Sequence, residues 1–139
     1  MLPRPLNSVK QEFLRFSSVG VLGFVVNLAA TYFFSRFANL YFAGACAFLV
    51  AATFTWYLNR NWTFFDRVHA PWQRQFLRFL GANFVGFLVY FGVYSAIITF
   101  SDYATGQLHI AVACGSISGL MVNFTLSRVL VFRNRPSKR

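Results

Sequence analysis

The sequence predicts an all-α polytopic membrane protein with four transmembrane helices, and three observations support this fold class. Of the 139 residues, 57% are hydrophobic and only 12% are charged, whereas a soluble domain carries about 25% charged residues. The charged residues are separated by four uncharged runs of 20, 23, 23 and 25 residues, and a helix of about 20 residues crosses a bilayer. Finally, if each run crosses the membrane, nearly all basic residues lie on one side of it, which is the charge bias typical of membrane proteins.

The four predicted spans occupy most of the chain. The first, residues 16–35, follows Arg4, Lys10 and Arg15 as in a signal peptide, but signal h-regions contain only about 7–15 residues. We therefore expect a retained helix. The other spans are predicted at residues 40–59, 79–100 and 108–127. Since little chain remains outside the spans, we expect residues 1–139 to form a single membrane domain.

The connections between the predicted spans alternate in charge. Residues 36–39 and 101–107 are nearly uncharged, whereas residues 60–78 contain four arginines and residues 128–139 contain five basic side chains. Twelve of the 13 basic residues, all except Arg36, therefore lie on one side. Because cytoplasmic segments carry the excess of Lys and Arg, both termini are predicted to be cytoplasmic. The net charge of +10 thus reflects topology, and we expect no nucleic-acid partner.

The two halves of the chain resemble each other, which predicts an internal repeat of residues 11–64 and 74–132. At an offset of 63 residues the tetrapeptide Phe-Leu-Arg-Phe recurs, and at an offset of 68 residues Arg60 aligns with Arg128. Each repeat contains two spans and returns the chain to its starting side. The fold is therefore predicted to be two helical hairpins, arranged as parallel repeats about a pseudo-twofold axis along the membrane normal.

Small residues recur every fourth position in the second and fourth spans. In lipid, helices associate where small side chains let their backbones approach closely. These stripes could pack within the chain, which we favour, or against a second copy in a homodimer. The predicted helix-packing residues are Ala43, Ala47, Ala51, Ala111, Gly115 and Gly119.

Catalytic and metal-binding patterns are not found in the sequence. No carboxylate lies within a predicted span, and no phosphate-binding loop, nucleophile triad or metal motif is present. We therefore expect neither enzymatic activity nor a cofactor. Several amides and hydroxyls do lie inside the spans, where they either join helices by hydrogen bonds or line a polar cleft. The residues assigned to this predicted cleft are Asn27, Asn59, Asn83, Asn123 and Thr55.

Arginines at the cytoplasmic ends of the spans are the candidate ligand-binding residues. Arg60 and Arg128 end the second and fourth spans at the same repeat position, and Arg15 and Arg78 form a second pair at the start of the first and third spans. A guanidinium group binds phosphate oxygens in a bidentate manner, and at this depth only a lipid presents a phosphate. Alternatively, these arginines mark topology and extend to the phospholipid headgroups.

Several of these segments resemble the GtrA-like family of small four-span bacterial membrane proteins. They are the two Phe-Leu-Arg-Phe tetrapeptides, the segment Leu-Asn-Arg-Asn-Trp-Thr-Phe at 58–64, and Asn123 to Arg128 followed by Val-Phe. The Asn-Arg-x-Trp-Thr-Phe stretch is the most specific of them. Two positions depart from the repeated pattern, because Ser127 replaces an Asn and Tyr90 aligns with Asn27.

The resemblance implies a function in modifying cell-surface polysaccharides. Members are thought to move a polyprenyl-phosphate-linked sugar, such as one carried by undecaprenyl phosphate, to the outer leaflet of the bacterial inner membrane. The partners implied are this lipid-linked sugar and membrane lipids. Two alternatives stay open: a non-transporting scaffold for a glycosyltransferase, and inward recycling of the free polyprenyl-phosphate carrier.

Overall fold

Four α-helices and two short π-helical turns make up the described part of the protein. The structure is a computed structural model that describes residues 6–67, 70–101 and 108–133. Within these ranges there is no β-strand, so the predicted all-α class is confirmed. In chain order the elements are α1 (Leu6–Phe34), α2 (Leu40–Leu58), the turn π1 (Asn59–Thr63), α3 (Trp72–Phe100), α4 (Leu108–Leu126) and the turn π2 (Ser127–Val131).

Three segments of these helices are long and apolar enough to cross a membrane. They are Ser8–Phe34, Trp72–Ile97 and Ala113–Val131. Much of their surface is apolar and exposed; Phe24, Phe84 and Phe87, for example, are each more than half exposed. Large contiguous apolar surfaces of this kind are covered by lipid or by other protein. The protein is therefore a membrane protein, as its composition predicts.

The first and third helices begin earlier than the predicted spans. Helix α1 begins at Leu6 and α3 at Trp72, whereas the uncharged runs begin at residues 16 and 79. An uncharged run marks the hydrocarbon layer, but charged residues such as Lys10 and Arg74 continue the same helix beyond it. Each helix has 29 residues and is therefore about 44 Å long, which exceeds the ~30 Å hydrocarbon core.

The second and fourth helices each end in a π-helical turn, which the sequence analysis did not predict. The Phe64 amide donates a hydrogen bond to the Asn59 carbonyl at 2.9 Å, and the Phe132 amide donates to the Ser127 carbonyl at 2.8 Å. Both bonds span five residues, one more than in an α-helix. This wider turn brings Phe64 and Phe132 inward, where both side chains are fully buried.

Helices α1 and α2 form the first hairpin, which lies within residues 6–67. Helix α2 begins after Asn39, whose side chain accepts a hydrogen bond from the Phe42 amide at 2.9 Å, a typical N-cap. The predicted packing residues Ala43, Ala47 and Ala51 are buried. The hairpin therefore buries its small-residue stripe within the chain.

Helices α3 and α4 form the second hairpin, which lies within residues 70–133. Gly119 of α4 lies directly against Gly86 of α3, because a Cβ atom on Gly119 would lie 2.8 Å from the Gly86 carbonyl oxygen. Gly115 is similarly close to Tyr90, since a Cβ atom on Gly115 would lie 2.9 Å from the Tyr90 carbonyl oxygen. The side chain of Ala111 lies outside the described residues. Only glycine permits this backbone approach.

Candidate functional site

In the first hairpin, Arg15 is held by aromatic side chains of the same hairpin. Its guanidinium lies 5.7 Å from the centre of the Trp62 ring and 6.0 Å from that of Phe65. One of its nitrogens also donates a 3.4 Å hydrogen bond to the Trp62 carbonyl oxygen. These distances are typical of cation–π contacts. Arg15 is therefore engaged by the segment that follows α2.

Arg60, the other candidate in this hairpin, is half-buried in the turn π1. Its guanidinium lies 5.6 Å from the centre of the Trp56 ring, one helical turn earlier. The aromatic ring orients the arginine side chain along the end of α2. A cation–π contact uses one face of the guanidinium plane, and the five N–H donors lie within that plane.

A buried ion pair lies at the end of the first hairpin where α1 begins and the segment after π1 follows. Arg67 binds Glu12 in a bidentate manner, with nitrogen–oxygen distances of 2.7 and 2.8 Å from Nη2. The two side chains are 1% and 7% exposed, and the guanidinium lies over Phe64 at 5.1 Å. This pair joins the start of α1 to the segment after π1. Sequence analysis missed it, because the two residues are 55 positions apart and nothing local indicates their contact.

In the second hairpin, Arg78 and Arg133 line the same groove. The groove has a volume of about 480 Å³ and is otherwise mostly apolar. Both arginines are exposed. The remaining lining residues are Gly81, Ala82, Val85, Leu126 and Leu130. An apolar wall with two guanidinium groups fits an amphiphile that has an anionic head and a hydrocarbon tail.

The described residues of the second hairpin carry only positive charges. Among its described residues there is no Asp or Glu, since the three acidic residues of the sequence are Glu12, Asp66 and Asp102. No carboxylate of its own described part can therefore neutralise Arg78 or Arg133. Arg128 is half-buried in the turn π2 and, like Arg74 in the first turn of α3, adds a further positive charge near the same end of the hairpin. An anion is the ligand that complements this charge distribution.

Two of the predicted cleft residues contact each other in the second hairpin. The Asn123 amide nitrogen donates a 3.0 Å hydrogen bond to the Asn83 side-chain oxygen, and Asn83 donates to the Phe79 carbonyl at 2.9 Å. Both asparagines line a second groove of about 280 Å³, together with Tyr90 and Ser116. The amides thus join α3 to α4 by a hydrogen bond, and the same two residues lie beside a groove; their use as a polar cleft stays a prediction.

The predicted cleft residues of the first hairpin do not form a comparable cluster among the described contacts. Asn59 is buried, and its side-chain oxygen accepts a 2.8 Å hydrogen bond from Thr63. Thr55 lies against Gly23 and donates to the Ala52 carbonyl at 3.2 Å. Asn27 is half-buried, and its carbonyl accepts a bond from Thr31. These three side chains lie at separate points along the helix pair.

Residues that the sequence repeat aligns take corresponding positions in the two hairpins. The rings of Phe16 and Phe64 lie 6.2 Å apart, and those of Phe79 and Phe132 also lie 6.2 Å apart. Each pair joins the odd-numbered helix to the residue after the π-helical turn. The residue that aligns with Glu12 is Gln75, which is fully buried. The two hairpins therefore have the same contact between phenylalanine rings but differ in charge at the aligned position, which is Glu12 in the first and Gln75 in the second.

Comparison with known proteins identifies the family of the chain. The family model described as GtrA/DPMS, transmembrane domain, matches residues 15–132. The chain belongs to the GtrA/DPMS transmembrane-domain family. The resemblance identified in the sequence is thereby confirmed. No curated protein sequence matches the chain.

Family membership links this GtrA/DPMS domain to the handling of polyprenyl-phosphate sugars in a membrane. Within the described ranges, no group of three His, Cys, Asp or Glu side chains is placed to hold a metal ion. The groove residue that sequence reasoning missed is Arg133, which had been counted only as a topological charge. Arg133 aligns with Phe65 of the first repeat, and this difference between the repeats would have distinguished Arg133 from the other basic residues near the C-terminus.

Proposed function

We propose that this GtrA/DPMS domain moves a polyprenyl-phosphate-linked sugar from the cytoplasmic to the outer leaflet of the bacterial inner membrane, without a catalytic step. In this proposal all four helices cross the membrane, with both termini in the cytoplasm. Helix α2 is included among the membrane-crossing helices because its 19 residues contain no charged side chain. The lipid-linked sugar then serves glycosyl transfer at the cell surface.

The observation that carries this proposal is the groove between α3 and the end of α4. A polyprenyl-phosphate sugar has an anionic phosphate, a long hydrocarbon chain and a polar sugar. Arg78 and Arg133 complement the phosphate, and the apolar wall that includes Val85 and Leu126 complements the first isoprene units. Arg60 and Arg128, half-buried at the ends of α2 and α4, are proposed to contact the phosphate during transfer.

The sugar needs polar contacts while it crosses, because hydrocarbon offers none. The groove lined by Asn83, Tyr90, Ser116 and Asn123 supplies such contacts along α3 and α4. It begins about one helical turn beyond Arg78 and continues toward the middle of both helices. An interhelical hydrogen bond in a membrane contributes only about 0.6–2 kcal/mol. The Asn83–Asn123 bond can therefore open and exchange for bonds to sugar hydroxyls.

Transport is tested in vesicles that contain the purified full-length chain and a polyprenyl-phosphate sugar with a fluorescent label on the sugar. Dithionite added outside destroys only the label in the outer leaflet. We expect the wild type to expose the inner pool to dithionite and the variant Arg60→Gln/Arg128→Gln to lose this activity. Arg36→Gln removes an arginine from the opposite end of the first hairpin and is the matched control. Full transport by the double variant would refute the assigned role of Arg60 and Arg128.

Matched vesicles, in which either the sugar-linked lipid or the bare polyprenyl phosphate carries the label on the isoprene unit next to the phosphate, distinguish the alternatives. Faster movement of the bare carrier than of the sugar-linked lipid would replace our proposal with inward recycling. No movement of either lipid, together with co-purification of a glycosyltransferase, would replace it with a scaffold function.

Topology is tested with single cysteines in a background where Cys46 and Cys114 are replaced by alanine. A cysteine at Arg36 is expected to react with an impermeant maleimide from outside, and labelling from the cytoplasm would refute the orientation.

A further inference from the structure

The two hairpins differ at the position of the cationic groove. The offsets that align the repeats, 63 residues for the odd-numbered helices and 68 for the segments after α2 and α4, show which residues correspond. The corresponding pairs are Arg15 and Arg78, Trp62 and Leu130, and Phe65 and Arg133. An arginine, Arg15 or Arg78, is thus present at the same position of both hairpins, but the residues at the other two aligned positions differ in size and charge.

In the first hairpin this position is occupied by the protein itself. Trp62 and Phe65 place their rings within about 6 Å of the Arg15 guanidinium, a distance typical of cation–π contacts. The Trp62 carbonyl takes one of the guanidinium donors. Two large rings therefore lie against Arg15, and since Trp62 and Phe65 are 45% and 61% exposed, they cover this position at the surface of the hairpin.

In the second hairpin the smaller Leu130 replaces the tryptophan, and the space remains open as the 480 Å³ groove. The charged Arg133 replaces the phenylalanine, so two guanidinium groups line one groove. The described part of this hairpin contains no carboxylate. In contrast, the first hairpin contains Glu12, which binds Arg67.

We infer that each chain holds one lipid phosphate, in the second hairpin between Arg78 and Arg133, and that Trp62 and Phe65 close the corresponding position of the first hairpin. The occupant is a phosphate on a single long hydrocarbon chain, which rests on the proposed function for its chemical class. Arg78 and Arg133 bind the phosphate oxygens, and Val85, Leu126 and Leu130 contact the chain. The repeats have therefore divided their functions: the first is closed, and the second binds.

The test is native mass spectrometry of the full-length chain in micelles, titrated with undecaprenyl phosphate. We expect one bound lipid per wild-type chain. Arg78→Gln and Arg133→Gln should each weaken binding about tenfold or more, since a hydrogen bond to a charged group contributes about 1.5–3 kcal/mol. Arg78→Lys should retain part of the affinity because it keeps the charge but loses the bidentate geometry. The control Arg36→Gln should bind like the wild type.

A gain of binding provides the second arm of the test. Trp62→Leu/Phe65→Arg gives the first hairpin the residues of the second, and we expect this variant to bind two lipids per chain. Phosphatidylglycerol and inorganic phosphate are titrated in parallel and should bind more weakly than undecaprenyl phosphate. Circular dichroism confirms that each variant is folded.

Several results would overturn the inference. They are two lipids bound to the wild type, no second lipid in the folded Trp62→Leu/Phe65→Arg variant, and equal weakening by Arg15→Gln and Arg78→Gln. Inorganic phosphate or phosphatidylglycerol binding as tightly as undecaprenyl phosphate would refute the single-chain lipid. Binding of one lipid without transport would remove the proposed function and leave this inference standing. Transport that persists after loss of the Arg78–Arg133 site would refute this inference and leave the proposed function standing.

Discussion

The close approach of Gly119 to Gly86 in the second hairpin predicts a strong position dependence for glycine-to-alanine substitutions. A Cβ atom on Gly119 would lie 2.8 Å from the Gly86 carbonyl oxygen and 3.1 Å from the Tyr90 Cβ atom. Favourable contacts between carbon atoms lie at about 3.5–4.0 Å. Because the obstacle is backbone, no rotamer change relieves the overlap. Gly119→Ala must therefore push α4 away from α3.

The magnitude follows from comparison with a glycine that has free space. Nothing lies within 4 Å of a Cβ atom on Gly92, in the same hairpin. Both substitutions gain the intrinsic helix preference of alanine, about 1 kcal/mol, but only Gly119→Ala also incurs the overpacking cost of about 1–3 kcal/mol. The difference between the two variants isolates that cost. It corresponds to a factor of about 5–150 in the unfolding equilibrium.

The free energy of unfolding is measured by titrating each purified variant with SDS in mixed micelles and following tryptophan fluorescence. We expect Gly92→Ala to match or exceed the wild type and Gly119→Ala to be less stable than Gly92→Ala by about 1–3 kcal/mol. Equal stability of the two variants would refute the reasoning, since it would mean that α3 and α4 do not touch at Gly86 and Gly119.

Two further predictions concern polar contacts that join the helices. Glu12→Gln should lower the free energy of unfolding in the same SDS titration by about 3–5 kcal/mol, because the buried Arg67 guanidinium loses its carboxylate. Glu12→Gln/Arg67→Met should recover most of this loss, and a larger loss in the double variant would contradict the ion pair. Asn123→Ala should cost about 0.6–2 kcal/mol through loss of the bond to Asn83. A double-mutant cycle with Asn83→Ala measures that bond, and a coupling energy of zero would contradict it.

The positions of the helices could be predicted from charge spacing alone, because an uncharged run of sufficient length has few other uses than crossing a bilayer. The starts of α1 and α3 lie before the uncharged runs, since charged residues such as Lys10 and Arg74 belong to the same helices. The π-helical turns were not predicted, because a change in hydrogen-bond register leaves no compositional signal. Their position after Leu58 and Leu126 coincides with the ends of the predicted spans.

The candidate site was predicted in part. Arg78 was identified as an anion-binding candidate from repeat symmetry, and the structure places it in a groove. Symmetry gave Arg15 the same expectation, but its surroundings depend on Trp62 and Phe65, which the tetrapeptide comparison did not include. Residues far apart in sequence determine whether a repeated arginine faces a groove or a ring. Aligning the repeats through residues 65 and 133 supplies that information.

The ion pair of the first hairpin bears on the order in which the protein is made. Glu12 and Arg67 both belong to the first 67 residues, as does every other contact described for α1, α2 and π1. Residues 6–67 are synthesised before α3 and α4, so the contacts that join α1, α2 and π1 are the first to become available, and domains generally fold in this N-terminal-first order.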